Sequence, residues 1–213
     1  SIPAERLWTI FHRVGLGSLS GANFPGEASG SLPDYHHWYP IDRATFSFGY
    51  GLSVSTLQLA HAYAALAAGG VLKPVSFVPV EHEPEGERVM NAKTARQVIA
   101  MLEGVVSDEG TGALARVPGY HVAGKTGTVR KSASGGYAED NYLSLFAGMI
   151  PATRPRLAMV VMINDPRREQ YYGGMVAAPV FSRVMSGAVR LLDIAPDDLP
   201  SLHGEKMAKA EVL

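Results

Sequence analysis

Cysteine is absent from the sequence, which excludes disulfide bridges and thiol nucleophiles but leaves the compartment open, because cysteine-free proteins occur in reducing and oxidising surroundings alike. No stretch of about 18 consecutive apolar residues occurs, so the sequence offers no membrane-spanning helix. Residues 1–13 read as an amphipathic start rather than a signal peptide, and the lack of an initiator Met leads us to expect a true beginning elsewhere. Charge of either sign is not in excess. A formal net charge of -1 gives no sign of a nucleic-acid partner. The seven histidines are scattered, and the adjacent pair His36-His37 brings no further ligands at metal-binding spacing, so no metal is expected. No serine has a lysine three residues later, and none opens a Ser-x-Asn. A serine nucleophile activated by a neighbouring lysine is therefore missing from these residues.

What is present suits a folded globular body. With 213 residues, 46% hydrophobic and 18% charged, the chain matches one large domain or part of a larger one. Residues 3–13 read as a helix leaving at Gly15 and Gly17, and turn signals around Phe24-Pro25-Gly26-Glu27 and Gly30 to Pro33 predict mostly loop over 17–45. The spacing of Leu59, Ala60, Tyr63, Leu66 and Ala67 predicts a helix over 56–68, with Ser55 and Gln58 as a capping box and Gly69-Gly70 closing it. A helix over 92–106 follows, using Ala95, Val98, Ile99, Leu102 and Val105, with Asn91 as N-cap.

The period then changes. Three β-rich runs, 121–130, 142–150 and 157–164, are joined by short linkers containing Gly135-Gly136 and residues 151–155, which predicts an antiparallel meander. A last helix over 177–192 presents Val180, Val184, Ala188 and Leu191 on one face, with Pro179 in its first turn, and the polar tail from Pro196 onward is expected to fray. The fold class is α+β, an antiparallel sheet with helices on one or both faces.

On the first of those runs stands Lys125-Thr126-Gly127-Thr128. Strand alternation puts Thr126 and Thr128 on one face and Lys125 and Gly127 on the other, so two hydroxyls project together. Two hydroxyls with an ammonium nearby can hydrogen-bond a carboxylate, and Gly127 lets a neighbour approach closely. At a sheet edge such a strand could also hold an extended peptide by strand addition.

The flanking sequence is distinctive. Phe24-Pro25-Gly26-Glu27, Phe48-Gly49-Tyr50-Gly51-Leu52-Ser53-Val54-Ser55, the run from Gln58 to Ala67, Gly119 to Thr128, Phe146-Ala147-Gly148 and the run from Tyr172 to Phe181 together closely resemble class B penicillin-binding proteins. The wording is most like the division transpeptidases of Gram-negative bacteria, and the resemblance runs from about Leu16 to Leu192. It implies the C-terminal part of a transpeptidase domain over 1–195 and a tail over 196–213. It also implies a peptidoglycan D,D-transpeptidase that cross-links stem peptides through an acyl-serine. The Ser-x-x-Lys and Ser-x-Asn would lie on an N-terminal portion of the same protein.

By the same resemblance, Thr126 and Thr128 would bind the terminal carboxylate of a D-Ala-D-Ala stem peptide or of a β-lactam. Lys125 would set the electrostatics beside the second motif, Gly127 would line the substrate strand, and Thr128 N–H would be one oxyanion-hole donor. The implied partners are the N-terminal portion, the stem peptide, β-lactams and other division proteins. The implied place is the periplasmic face of the inner membrane, anchored by a helix not in these residues.

Several residues admit two readings. Arg130 and Lys131 either attract an anionic substrate or form an ordinary charged edge. Tyr171 and Tyr172 either wall a cleft or pack, and for Tyr50 packing is the better reading. His61 reads as a packed histidine, and Ser53, Ser55 and Ser144 are not nucleophiles. Against the transpeptidase stand a binding module that has lost its nucleophile and, further off, a β-lactamase. A part of this fold on its own would also leave apolar surface uncovered.

Overall fold

In the computed structural model, which describes residues 2–133, 136–166 and 170–199, the elements follow the order that the periodicities predict, with four additions besides a 3-10 turn at Tyr35–His37. Helix α1 (Ala4–Arg13) leaves through Gly15 at φ 88. Helix α2 (Pro40–Phe46) is the first addition, inside the stretch expected to be loop. Pro40 is not a breaker here: at the first helical position its missing N–H costs nothing, and the Asp42 carboxylate accepts the Tyr39 N–H at 2.8 Å. Phe46 anchors the helix, buried and stacked on Trp38 with ring centroids 4.2 Å apart.

Helix α3 (Thr56–Ala67) has the capping box that Ser55 and Gln58 announce. Gln58 does more than cap. Its side chain is buried, and its Nε2 donates to Ser18 O at 2.6 Å and Ser29 O at 2.8 Å while Oε1 accepts from Ser55 N at 2.8 Å. One amide thus staples the loop over 18–29 to α3. Gln58→Leu keeps the volume and strands three backbone groups, so we expect a loss of about 3 kcal/mol at roughly 1 kcal/mol per group. Urea unfolding, with proteolysis mapped to residues 18–31, checks it.

A two-stranded sheet of β1 (Val71–Leu72) and β2 (Glu87–Arg88) is the second addition; strands this short carry no readable alternation. From within α3, His61 Nε2 bonds the carbonyl of Lys73, the residue after β1, at 2.6 Å, which gives the histidine a structural role. Helix α4 (Ala92–Gly104) is capped by Asn91, and a short 3-10 turn (Ala113–Ala115) follows as the third addition.

The central sheet is the meander β3 (Ala123–Ala133), β4 (Gly136–Ile150) and β5 (Leu157–Asn164), antiparallel in the order β3-β4-β5. The first hairpin is longer than its apolar pattern: pairing continues to Ala133↔Gly136 past a register shift between Arg130 and Ser132. Residues there are polar, so no alternation announces the strands, and Gly135 lies outside the described residues.

Helices pack on both faces. On one, α3 and α4 cover the sheet, with Tyr63, Leu66 and Leu102 around Ile99, Ala123 and Met149. Burial there pushes the Tyr63 phenol up to about 12. On the other lie the 3-10 turn, a short α5 (Gly173–Val176), the fourth addition, and α6 (Ala178–Leu191). Its centre is Phe146 against Phe181, edge to face with centroids 4.8 Å apart.

The face expected for α6 is corrected in part, since Ala188 packs against the core as expected. Phe181, Met185 and Val189 are buried, whereas Val184 and Leu191 are 49% and 86% exposed. Both stripes are apolar, so periodicity could not choose; the larger Phe and the adaptable Met fill the space under Phe146. Fraying from Pro196 is corrected for its first residues. The Asp197 carboxylate accepts from His121 N at 2.8 Å and from Thr153 Oγ1 at 2.6 Å, which fixes the chain there. Residues 200–213 of the expected tail lie outside the described residues.

Among the described residues no helix is long and apolar enough to cross a membrane. Phe24, Ile41, Phe48, Phe77 and Val78 are large apolar residues left exposed.

Candidate active-site strand

β3 is the terminal strand of the three, so one edge of residues 125–129 has no strand beside it in this sheet. Alternation works as the sequence predicts. Thr126 and Thr128 point to the face covered by α5, where the Gly173 N–H donates to Thr128 Oγ1 at 3.0 Å. A hydroxyl that accepts from behind keeps its own proton to donate elsewhere. Lys125 leaves from the opposite face, is exposed, and its Nζ curls back over the strand to Thr126 O at 2.8 Å and Thr126 Oγ1 at 3.3 Å. Ammonium and hydroxyls therefore converge although their Cβ atoms alternate.

The close approach of α5 to β3 and to Thr111 needs the absence of two side chains on α5. A Cβ at Gly173 would lie 2.3 Å from Leu145 O and 2.4 Å from Gly127 O, and one at Gly174 would lie 2.0 Å from Thr111 O. Only glycine admits so close an approach of backbones. Gly127 itself has Leu145 beneath it at 3.3 Å from where its Cβ would be.

The aromatic candidates are drawn to the same end of the strand. Tyr142, directly across from Arg130, stacks on Tyr171 with centroids 4.0 Å apart, and Tyr171 meets Tyr172 at 4.5 Å. The Tyr171 hydroxyl donates to that of Tyr172 at 3.3 Å; this bond, then the charge Tyr172 would carry as phenolate, push the Tyr171 phenol up to about 12. It is an uncharged donor across the neutral range. The three rings form one stack, with Tyr172 exposed at its end. Arg130 is exposed on the strand. Lys131 is not available for a substrate, because its Nζ is 2.7 Å from Asp165 Oδ2. Tyr50 stands elsewhere, its ring tilted against Phe48.

Sequence reading missed three contributors. Ser144, buried opposite Thr128, donates to the Tyr171 carbonyl and ties the aromatic loop to β4. Gly173 supplies the donor to Thr128. Thr111 brings its Oγ1 to 3.0 Å from Thr126 Oγ1 from a turn remote in sequence. A hydroxyl set between Gly110 and Gly112 was the available signal. Among the described residues no group of three His, Asp or Glu side chains is placed to hold a metal.

This strand, with its paired hydroxyls and curled lysine, sits in a sequence whose residues 1–186 match the penicillin binding protein transpeptidase domain family. The chain belongs to that family. The class B resemblance holds in its relatives and in its fold. The chain is 43% identical over 199 residues to the peptidoglycan D,D-transpeptidase FtsI of Escherichia coli, covering 93% of this chain and 34% of that protein. It is 43% identical over 193 residues to the probable peptidoglycan D,D-transpeptidase PenA of Neisseria meningitidis, covering 91% of this chain and 33% of that one. The transpeptidase domain of Burkholderia pseudomallei penicillin-binding protein 3 superposes with a TM-score of 0.87 at 41% identity, over 93% of this chain and 60% of the other. The chain thus spans about a third of the length of these curated relatives.

Proposed function

We propose that the chain is the C-terminal part of the transpeptidase domain of a peptidoglycan D,D-transpeptidase of the division type, and that β3 is its substrate strand. The observation that carries the reading is the convergence of Lys125, Thr126 and Thr128 at the free edge of β3. In this reading Thr126 and Thr128 bind the terminal carboxylate of a D-Ala-D-Ala stem peptide, or of a β-lactam that mimics it. Residues 1–195 form the domain part and 196–213 a tail. Gly127 keeps the strand open to the peptide, Arg130 adds positive charge, and Tyr171 and Tyr172 wall the cleft.

The chemistry is acyl transfer. A serine on the N-terminal portion attacks the carbonyl of the penultimate D-alanine, and its proton passes to a base of that portion. The tetrahedral intermediate collapses by expelling the terminal D-alanine, whose nitrogen takes a proton. An amine of a neighbouring stem peptide then attacks the acyl-serine, which forms the cross-link and frees the serine. Thr128 N–H supplies one oxyanion donor and the nucleophile's own N–H the other. A single such donor is worth roughly 3–4 kcal/mol of barrier, so this part alone does not catalyse. No cofactor enters covalent serine catalysis of this kind. By the same reading the protein works at the periplasmic face of the inner membrane beside other division proteins.

Intact mass spectrometry of the longer protein, before and after benzylpenicillin, followed by peptide mapping, tests the proposal. One drug mass on a serine outside these residues is expected. Reversible binding with no adduct would instead favour the binding module.

A further inference from the structure

Thr111 lies in the turn between α4 and the 3-10 turn, and that turn is held tightly. Gly112 N donates to Val105 O at 2.8 Å and Gly110 N to Ser107 O at 3.0 Å. A Cβ on Gly110 would lie 2.1 Å from Val105 O, one on Gly112 3.0 Å from the Phe146 ring, and one on Gly174 2.0 Å from the Thr111 carbonyl. The backbone of Thr111 is therefore clamped between the end of α4, the core and α5. Its hydroxyl is delivered to Thr126 from a fixed base, and the residue remains exposed to solvent.

Counting protons gives this contact a direction. The Thr126 hydroxyl has one proton and two lone pairs, and a carboxylate only accepts. Lys125 Nζ, which only donates, lies 3.3 Å from Thr126 Oγ1 and occupies one lone pair. The second can accept from Thr111, since either hydroxyl of that pair can donate. When Thr111 donates into it, the Thr126 proton is directed away from both and toward a ligand on the strand. Thr128 has the same support from the Gly173 N–H. Each of the two strand hydroxyls thus has a donor behind it, one from a backbone amide and one from a side chain, and donors in series polarise one another.

We infer that Thr111 is a positioning residue, which orients the Thr126 hydroxyl as a donor to the ligand carboxylate. The inference rests on the proposed reading of β3 as the carboxylate-binding strand. It distinguishes Thr111 from a residue that merely braces the turn, because a brace would serve charged and uncharged ligands equally.

The experiment compares acylation of the full-length protein by benzylpenicillin and by its methyl ester, in the wild type, Thr111→Val and Thr111→Ser. In Thr111→Val, acylation by the free acid should fall about tenfold, the loss of one hydrogen bond to a charged group, while acylation by the ester stays at the wild-type rate. Thr111→Ser, which restores the hydroxyl, should recover the acid rate. An unchanged acid rate in Thr111→Val, or equal losses for acid and ester, overturns the inference and leaves the strand reading intact. A wild-type protein that is not acylated, or that does not prefer the acid, overturns the strand reading and the inference with it.

Discussion

Lys125→Ala in the full-length protein is expected to slow acylation by benzylpenicillin about a thousandfold without lowering the melting temperature. The rate effect follows from charge at close range. An ammonium about 4 Å from a developing negative charge, at an effective dielectric constant near 20, is worth about 4 kcal/mol, which is close to three decades in rate. Stability should not change, because the side chain is exposed and its contacts in the protein are with the hydroxyl and carbonyl of the next residue, Thr126. Lys125→Arg keeps the charge but not the compact head, so it should recover part of the rate. A loss below tenfold in Lys125→Ala would make this an ordinary solvated strand lysine.

Gly173→Ala is expected to damage both stability and acylation. The added methyl would sit 2.3 Å from Leu145 O and 2.4 Å from Gly127 O, both backbone atoms of strands held in register on each other. Neither can swing aside as a side-chain tip would. The shift falls on α5, and overpacking of this kind costs about 3 kcal/mol. Moving α5 also breaks the Gly173 N–H contact to Thr128, and a displacement near 1 Å at a reacting site costs roughly a hundredfold in rate. Urea unfolding and acylation kinetics measured on one sample separate the two effects. If both match the wild type, the contact of α5 with β3 is looser than the structure has it.

Much of this architecture was legible because its cause is local. The Ser55–Gln58 box, the Asn91 cap and the run 157–164 behave as their residue types demand. Where sequence reading failed, the deciding cause lay elsewhere in space. Helix α2 falls in the stretch expected to be loop because its cap, Asp42 on Tyr39 N–H, carries no apolar period, and α6 offered two apolar stripes that only Phe146 could choose between. The long β3–β4 hairpin is polar where it leaves the core, so it carries no burial signal.

The site divides in the same way. Strand alternation in Lys125 to Thr128 could be read directly. The partners behind the hydroxyls could not, since Thr111 and Gly173 are brought to Thr126 and Thr128 by tertiary packing alone. Lys131 shows the converse. A cation next to the motif seemed available for substrate, but Asp165, 34 residues on, takes it.

A crystal structure of the full-length protein acylated by benzylpenicillin tests the central claim most directly. The drug carboxylate is expected within hydrogen-bond reach of both Thr126 Oγ1 and Thr128 Oγ1, beside Lys125 Nζ, with the acyl bond on a serine outside these residues. A carboxylate bound away from β3, with the two hydroxyls still turned to Thr111 and Gly173 alone, would contradict it.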